Sequence, residues 1–389
     1  HTIKKLQSGR YGIYDDEFSE NMQLFQSSYM EEMGQSLILQ FPSKQRLLED
    51  MREIEQDEDY QMKLDMAFQN DWGFSITSVI KFAHACSIIC CTSNTSVVCI
   101  SKAELVKKVQ ELVSEIGTAE LDNLIEKFSL CARDTYLPDT NLQEYAPWGY
   151  NREYSYVRRF LVRVGDEILF GMRNATGCAY QLLHLLNEGR LNGCGESLKI
   201  LKGEICEQKG KEYTNSVRNL LKNNSNWEVW DYEMKIEPGS LMRAEVNYGD
   251  IDVMAYDREH KVLYSLECKD TARARNIHEM KSEMDRFLGF AQSGDQPTER
   301  EQKKSWVGKH QKRHRWLEEH KDNVRNVIKE HGDFEVRSIM VTSSVLPISY
   351  LRGRELPLPI VAYMDILIRG VAVLEEAWER FEIGVNNDV

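Results

Sequence analysis

The first half of the chain has the apolar spacing of amphipathic helices. Over residues 1–75 the pattern predicts helix, most clearly at 47–54, where leucine, methionine and isoleucine recur at helical spacing among acidic residues. Ser101 with Glu104 forms a capping box that predicts the start of another helix, whose apolar stripe runs over 105–113. The pattern therefore predicts a mostly helical first half.

Residues 97–171 combine strands and helices in the order of a winged helix. A strand at 96–100 precedes two helices, the second beginning at Thr118, and a hairpin over 160–170 turns at Gly165-Asp166. The pattern is weak, and a plain helical packing or scaffold domain is the favoured alternative.

From residue 200 onward, strands and helices alternate differently. Helix, three strands, helix and strand in this order predict an α/β sandwich of one domain's size. We therefore expect an α+β or α/β chain with a helical N-terminal region at 1–200 and a separate domain at 201–389. The predicted elements of this domain are a helix at 209–222, strands at 227–236, 249–257, 262–269, 336–342 and 360–363, helix-rich sequence over 275–331 and a closing helix at 371–381.

The composition is that of a globular chain without a membrane span. Of the 389 residues 42% are hydrophobic, which is enough for real cores and excludes a disordered protein. No apolar run reaches the ~18 residues that a membrane helix needs, and the first residues lack the apolar centre of a signal peptide. Nine cysteines without a Cys-x-x-Cys pair favour reduced thiols. We therefore expect a cytoplasmic protein.

The net charge of −13 and the pI of about 5.3 argue, taken alone, against general affinity for nucleic acids. The charge of a whole chain, however, says little about the charge of one local groove.

The strand predicted at 249–257 carries acidic side chains at its start. Because alternate side chains of a strand share a face, Ile251 and Val253 are expected on one face. Asp250 and Asp252 are then expected on the opposite face.

The strand predicted at 262–269 ends with Glu267 and Lys269, which lie opposite to its apolar side chains. If the two strands pair in suitable register, Asp252 converges with this pair at one end of the sheet. Carboxylate oxygens suit Mg²⁺ or Mn²⁺, and such a metal lowers the pKa of its bound water. A lysine ammonium can orient that water or stabilise charge on a phosphate. Two carboxylates and a lysine are therefore the groups that hydrolysis of a phosphodiester needs.

The short motif Glu-x-Lys proves little by itself. It occurs at six further positions between residues 207 and 321, on predicted helices, turns or exposed strand. Charged residues alternating with apolar ones also describe any strand with one solvated face. Glu267 and Lys269 differ from the other pairs because they end an apolar strand just after the Gly-Asp-Ile-Asp strand.

These two segments, Gly-Asp-Ile-Asp-Val-Met-Ala-Tyr-Asp at 249–257 and Val-Leu-Tyr-Ser-Leu-Glu-Cys-Lys at 262–269, resemble the PD-(D/E)xK nuclease superfamily. In pattern they are most similar to the Mrr-type restriction endonucleases and the archaeal Holliday-junction resolvases. The resemblance implies that Asp252 and Glu267 are metal ligands and that Lys269 is the catalytic lysine.

The resemblance covers about residues 204–370 and implies a three-layer αβα core, like that of restriction endonucleases. The first motif lacks the Pro that often precedes its Asp. Many of these enzymes carry one more Glu on the helix before the sheet, for which Glu212 is the best candidate, although an ordinary exposed glutamate explains it equally well. Asp250 stands where relatives often have an acid, either as a further metal ligand or as a neighbour. Residues 1–200 resemble nothing that we can name.

A basic region follows the lysine, with no acid between residues 303 and 315. Because Lys and Arg neutralise phosphates and aromatic rings stack on bases, the region is a candidate nucleic-acid surface, with Trp306 and Trp316 beside it. A solvated basic helix with two core tryptophans is the alternative. The candidate nucleic-acid-binding residues are Arg273, Arg275, Lys281, Lys303, Lys304, Lys309, Lys312, Arg313 and Arg315.

The sequence thus predicts a Mg²⁺- or Mn²⁺-dependent DNA endonuclease with a role in anti-phage or restriction-type defence. The alternative is a nucleic-acid-binding or scaffold protein with a degenerate, inactive nuclease fold. Nuclease domains of this kind often work in pairs, so a homodimer is one expected assembly. The chain has no P-loop, so if the function needs an ATPase, it lies on another chain, as a partner ATPase or recognition subunit, or on a missing part of this one. The start at His1, without Met, is expected of a fragment or a processed protein.

Overall fold

The protein has a mixed α and β architecture with a helical N-terminal region, as predicted. The chain divides into two compact units: residues 42–208, here the N-terminal unit, and residues 209–389 with 1–41, here the C-terminal unit. The computed structural model describes residues 2–5, 11–14, 23–24, 27, 58–132, 155–156, 158–271, 274, 277–289, 304–351 and 356–387.

Near its start the chain forms an antiparallel hairpin. Strand β1 (Thr2–Lys5) pairs with β2 (Tyr11–Tyr14), so the prediction of helix throughout 1–75 is wrong in this segment. Both strands contain β-branched or aromatic residues, which favour extended backbone, and Gly12 disfavours a helix. The apolar stripe at 47–54 lies outside the described residues.

The N-terminal unit packs helices against one face of a small sheet. Its elements are α1 (Glu58–Trp72), α2 (Ile76–Thr92), β3 (Val97–Ser101), α3 (Lys102–Leu112), α4 (Thr118–Phe128), β4 (Ser129–Cys131), β5 (Leu161–Val164), β6 (Glu167–Gly171) and α5 (Met172–Asn187). The strand order is β3-β6-β5-β4. The side chain of Ser101 caps α3 by accepting a hydrogen bond from the Glu104 backbone N–H at 3.2 Å, as the sequence predicts.

The boundary between the two units falls within one long helix, α6 (Glu196–Asn224). The remaining elements are β7 (Glu228–Val229), β8 (Met234–Ile236), β9 (Gly249–Ile251), β10 (Val253–Asp257), β11 (Val262–Lys269), α7 (Ile277–Leu288), α8 (Trp306–Glu319), α9 (Lys321–Ile328), β12 (Glu335–Thr342), α10 (Pro347–Leu351), β13 (Ile360–Ala362), α11 (Tyr363–Arg369) and α12 (Ala372–Asn387).

A five-stranded mixed sheet with the order β13-β12-β11-β10-β7 forms the centre of the C-terminal unit. Strand β11 pairs in parallel with β12 and antiparallel with β10. Apolar side chains of α6, α7 and α12 pack on one face of this sheet. Those of α8 and α9 pack with Met254 and Leu263 on the other face. The sheet therefore lies between two helical layers, and both faces of its central strands are buried.

Two predicted strands are interrupted. The strand expected at 227–236 is split into β7 and β8, which belong to different sheets. The strand expected at 249–257 breaks at Asp252, because β9 pairs with β8 whereas β10 pairs with β11. As a result Ile251 packs with the side chains of α8 and α9 on one face of the sheet. Val253 packs with those of α6, α7 and α12 on the opposite face. The expectation that Ile251 and Val253 share one face is therefore wrong.

Among the described helices, none alone is long and apolar enough to cross a membrane. In the part of the chain that the structure describes, the pair α1 and α2 together has the length and composition of a span, but the two helices are bent by 84° with respect to each other.

Candidate metal centre

The break at Asp252 places its carboxylate beside the end of β11. In the antiparallel β10–β11 pair Val253 lies opposite Leu266, so Asp252 reaches the position beside Glu267. The backbone N–H of Cys268 donates a hydrogen bond to Asp252 Oδ2 at 2.7 Å, which fixes the carboxylate against the neighbouring strand. The two acids therefore meet because of the register of the hairpin.

Lys269 completes the cluster that the sequence predicts. Its Nζ lies 2.7 Å from Glu267 Oε1 and 4.0 Å from Asp252 Oδ2. The side chains of Asp252 and Lys269 are 19% and 25% exposed, so solvent reaches the cluster from one side. Asp252, Glu267 and Lys269 are thus brought together in one partly open site.

Two buried arginines support the acids. The guanidinium of Arg313, on α8, forms an ion pair with Glu267 Oε2, and both side chains are less than 10% exposed. Arg218, on α6, donates from Nη2 to the backbone carbonyl oxygen of Asp252 at 2.9 Å and also bonds the side chain of Asn215. Arg218 therefore binds the break in the strand from the helical layer that contains α6. Arg313 binds Glu267 from the layer that contains α8.

These surroundings shift the pKa values of the two carboxyl groups in opposite directions. Burial, and next the charge of Glu267, raise the pKa of Asp252 to about 7. Burial also acts to raise the pKa of Glu267, but Lys269 and Arg313 outweigh it and lower that pKa. Burial acts to lower the pKa of Lys269, yet the two carboxylates raise it above its usual value. Near neutral pH, Glu267 and Lys269 are charged, and Asp252 is only partly ionised.

The donor set fits a divalent cation. Asp252 and Glu267 offer hard carboxylate oxygens, which Mg²⁺ and Mn²⁺ prefer. Burial is the first cause of the raised pKa of Asp252, and a dication bound at this carboxylate would favour its ionised form. Asp252 and Glu267 are therefore the residues that would hold the metal.

The two additional acidic candidates, Asp250 and Glu212, lie outside the cluster of ion pairs described above. Asp250 is half-buried on β9, opposite Lys235 of β8, and among the described contacts it takes no part in the ion pairs of the cluster. Glu212 is exposed on α6, and its backbone carbonyl accepts from Ser216. Their roles as ligand and catalytic acid remain predictions.

Helix α8 has one buried face and one exposed face, and Arg313, predicted among the DNA-binding residues, lies on the buried face. Arg313 is buried against Glu267, so the expectation that it contributes to an exposed DNA-binding surface is wrong. His310, one turn earlier, is fully buried, and its Nε2 lies 3.1 Å from the backbone oxygen of Ser265. Burial lowers the pKa of His310 to about 3, so the ring is neutral and Nε2–H is the donor. Val307, His310, Arg313 and Leu317 follow helical spacing, which is the signal that could have identified this inward face.

The outer face of α8 is basic. Lys309, Lys312 and Arg315 are exposed along it, and Lys304 is exposed just before the helix. Lys281 lies on α7 and pairs with Asp285 at 2.8 Å. Arg273, Arg275 and Lys303 lie outside the described residues.

The two tryptophans of the basic region differ in position. Trp316 is buried in the core, where it stacks on His320, so it has no face free for a base. Trp306 is half-buried, packs edge-on against Phe287, and its ring centroid lies 5.8 Å from Lys269 Nζ. Trp306 alone of the two lies near the cluster.

A second group of ligand-type side chains lies at the other end of β10. Asp257, His260 and Glu375 bring their oxygen and nitrogen atoms within 4.8 Å of one another. Asp257 Oδ2 already contacts His260 Nδ1 at 2.7 Å and accepts from Trp227 Nε1 at 3.0 Å. These hydrogen bonds hold Asp257 and His260 at the β10–β11 turn without a metal.

A family model described as "Anti-phage protein Upx-like" matches residues 13–365, which is most of the chain. No curated protein and no solved structure matches the chain significantly. The match supports the expected role in defence, and it does not name a nuclease.

Proposed function

We propose that this chain, which belongs to the Upx-like family of anti-phage proteins, is a divalent-metal-dependent nuclease that cleaves DNA. One observation carries the proposal. Asp252, Glu267 and Lys269 converge at the end of a buried sheet, with the ammonium 2.7 Å from one carboxylate and 4.0 Å from the other. Two carboxylates that can bind a metal and one ammonium group are suited to the hydrolysis of a phosphodiester bond.

Each residue has a distinct role in the proposed reaction. A bound Mg²⁺ would lower the pKa of a water molecule and neutralise charge on the phosphate. Asp252 and Glu267 would hold the cation, with Asp252 fixed by the Cys268 N–H. Lys269 would orient the attacking water or stabilise the developing negative charge. Arg313 would fix the far oxygen of Glu267, so that Oε1 remains beside Lys269.

The basic outer face of α8 supports DNA as the substrate. Lys309, Lys312 and Arg315 are exposed on the helix whose inner face carries Arg313. Cations along one helix face can neutralise successive phosphates and orient a duplex without reading its sequence. The proposal therefore includes a backbone-binding role for this face.

An inactive nuclease fold is the second candidate function. The observation that favours it is the buried ion pair of Arg313 with Glu267, because the arginine neutralises a proposed ligand without any metal. In that case the protein would bind nucleic acid or serve as a scaffold, and the cluster would be a structural ion-pair network.

Cleavage assays separate the two candidates. Supercoiled plasmid and linear duplex would be incubated with the full chain in Mg²⁺, beside Lys269→Ala and the control Lys261→Ala. Lys261 is the lysine of a second Glu-x-Lys pair, at the exposed turn after β10. We expect the wild type and Lys261→Ala to cleave, and Lys269→Ala to lose ~100-fold or more in rate. Cleavage by none of the three proteins, or equal cleavage by all, would contradict the nuclease proposal.

A further inference from the structure

A strand, two helices and a hairpin follow one another in the N-terminal unit. Strand β3 leads into α3 and α4, and the β5–β6 hairpin comes after the short strand β4. Strand β6 pairs antiparallel with both β3 and β5. Residues 113–117 join the two helices, and buried side chains of both helices, such as Leu105 and Leu121, pack in one apolar core. This order and pairing are those expected of a winged helix, in which a helix-turn-helix is followed by a hairpin, the wing.

The tip of the hairpin and the two helices form one continuous surface. The Lys102 backbone N–H, at the start of α3, donates to the Asp166 carbonyl oxygen in the hairpin turn at 2.9 Å. The ammonium of the same lysine lies 2.6 Å from Asp122 Oδ1 on α4. An open groove lies along these contacts and is lined by Ala103 and Val106 together with Asp122 and Asp166. A partner placed in this groove would therefore contact α3, α4 and the wing together.

The charge of α4 is the opposite of the charge that binding to a nucleic acid needs. The second helix of a DNA-binding helix-turn-helix enters the major groove between the phosphate chains, where lysine and arginine neutralise the phosphates. Helix α4 carries three acids, Glu120, Asp122 and Glu126, and a single lysine. The Nζ of that lysine, Lys127, lies 3.7 Å from the centre of the Trp72 ring. Phosphates brought against this helix would be repelled, so DNA is an unsuitable ligand for it.

Acids outnumber basic residues on this surface. Helices α3 and α4 with the hairpin turn at 163–167 contain seven acids and five basic residues. Each of the three lysines of α3 lies near a carboxylate, at 2.6, 3.9 and 3.2 Å. Glu126 on α4 and Asp166 at the wing tip are exposed, and neither side chain forms an ion pair with the residues that the structure describes. The surface therefore attracts a positively charged partner.

Apolar side chains are accessible beside these acids. Val164, two residues before Asp166 at the wing tip, is 70% exposed. Ala103 is exposed and Val106 is half-buried along the groove. Apolar contacts surrounded by polar and charged groups are typical of protein–protein interfaces. The surface is thus suited to a protein segment that combines lysine or arginine with small apolar residues.

We propose that α3, α4 and the β5–β6 wing form a winged helix that binds a basic segment of a partner protein. Lysine or arginine side chains of the segment would pair with Glu126 and Asp166. A small apolar side chain between them would contact Ala103 and Val106 in the groove. Such a segment supplies the positive charge that this surface lacks, whereas a nucleic acid adds to the negative charge that the surface already has. This role is separate from the proposed metal centre and brings a second protein to the N-terminal unit.

Fluorescence anisotropy on the full chain tests the proposal. The first probe is a labelled peptide of repeated Lys-Ala-Ala units, and the second is the same peptide with glutamate in place of lysine. Both are measured in EDTA, so that no metal is bound at Asp252 and Glu267. We expect the lysine peptide to bind, more weakly as the KCl concentration is raised, and the glutamate peptide not to bind. Failure of the lysine peptide to bind at up to ~1 mM protein would overturn the proposal.

Matched variants locate the binding. Glu126→Gln combined with Asp166→Asn should weaken binding of the lysine peptide about fivefold, the effect of losing two exposed ion pairs. The control combines Glu58→Gln with Asp59→Asn, two exposed acids at the start of α1 in the same unit, and should leave the affinity unchanged. Both double variants remove the same charge, and all four side chains are exposed, so neither variant should unfold the protein. Equal affinities of the two double variants for the peptide would overturn the proposal.

Duplex DNA tests the opposite assignment of the same surface. Lys107→Gln removes a lysine whose side chain is 77% exposed on α3. We expect this variant to bind a labelled duplex in EDTA as the wild type does, because the proposed DNA-binding face is on α8. Weaker binding of the duplex by Lys107→Gln, with no effect of Glu126→Gln and Asp166→Asn on the lysine peptide, would assign the winged helix to DNA and overturn the proposal.

Discussion

Arg313 and Glu267 form an ion pair that is buried at both ends, with side-chain exposures of 7% and 9%. The two residues are 46 positions apart and lie on α8 and β11. The pair joins one helical layer to the end of the central strand. Because Arg313 pairs with Oε2, Oε1 of Glu267 pairs with Lys269. Each oxygen of this carboxylate therefore contacts a different cation.

Removing Arg313 should therefore destabilise the fold as well as the site. Arg313→Met leaves a buried carboxylate with one cation fewer, and we expect a loss of about 3–5 kcal/mol in the free energy of unfolding. Urea unfolding monitored by circular dichroism measures it. Arg315→Met, two residues along on the exposed face, is the control and should change stability by less than ~0.5 kcal/mol. Equal stability of Arg313→Met and wild type would contradict this account.

The raised pKa of Asp252 makes a prediction about pH. The pKa of this carboxyl is raised from 3.8 to about 7, so the folded state holds the proton more tightly than the unfolded chain does. Without metal, this carboxyl therefore costs stability progressively as pH rises from about 4 to about 7, because it ionises in the unfolded chain before it does in the folded state, and the cost levels off above that. Asp252→Asn removes the cost, so in EDTA the variant should gain stability over the wild type across this pH window.

Thermal unfolding at several pH values between 4 and 8 checks this sign. We expect the melting temperature of Asp252→Asn minus that of the wild type to increase with pH and then to level off. Asp250→Asn, two residues earlier and half-buried on β9, is the matched control and should show a smaller change with pH. A difference for Asp252→Asn that stays constant over the window would contradict the pKa assignment.

The basic face of α8 should act through phosphates alone. Changing Lys309, Lys312 and Arg315 together to Gln should weaken DNA binding in EDTA equally for unrelated sequences. Each lost phosphate contact lowers the slope of log affinity against log salt by ~0.9, so we expect a total change of about 2–3. Fluorescence anisotropy over a series of KCl concentrations measures the slope, with Lys329→Gln, exposed after α9, as the control. An unchanged slope in the triple variant would exclude this face as the DNA surface.

The sequence predicts the parts of the site that depend on local pattern. Strand β11 was predicted at its observed bounds because an apolar run with Glu267 and Lys269 at its end is visible in eight consecutive residues. The break at Asp252 was not predicted, because it depends on β9 pairing with β8 while β10 pairs with β11. Local alternation contains no information about which partner a strand has.

Long-range contacts explain the remaining differences. Arg313 lies in a run of basic residues, and although its helical spacing with Val307 and Leu317 indicates the inward face, only the fold shows that its partner is Glu267. Arg218 lies 34 residues before Asp252, and the contact between them arises from the packing of α6 on the sheet. Residues that hold a site from neighbouring elements therefore become recognisable only once the fold is known.

The proposed nuclease activity requires that Asp252 and Glu267 hold a divalent cation beside Lys269. Isothermal titration of the full chain with Mn²⁺, which takes the same oxygen ligands as Mg²⁺, tests it most directly. We expect saturable binding in the wild type and in Glu375→Gln, whose carboxylate lies beside Asp257 and His260 at the other end of β10. We expect no such binding in the double variant Asp252→Asn with Glu267→Gln. Binding by this double variant with the affinity of the wild type would contradict the claim.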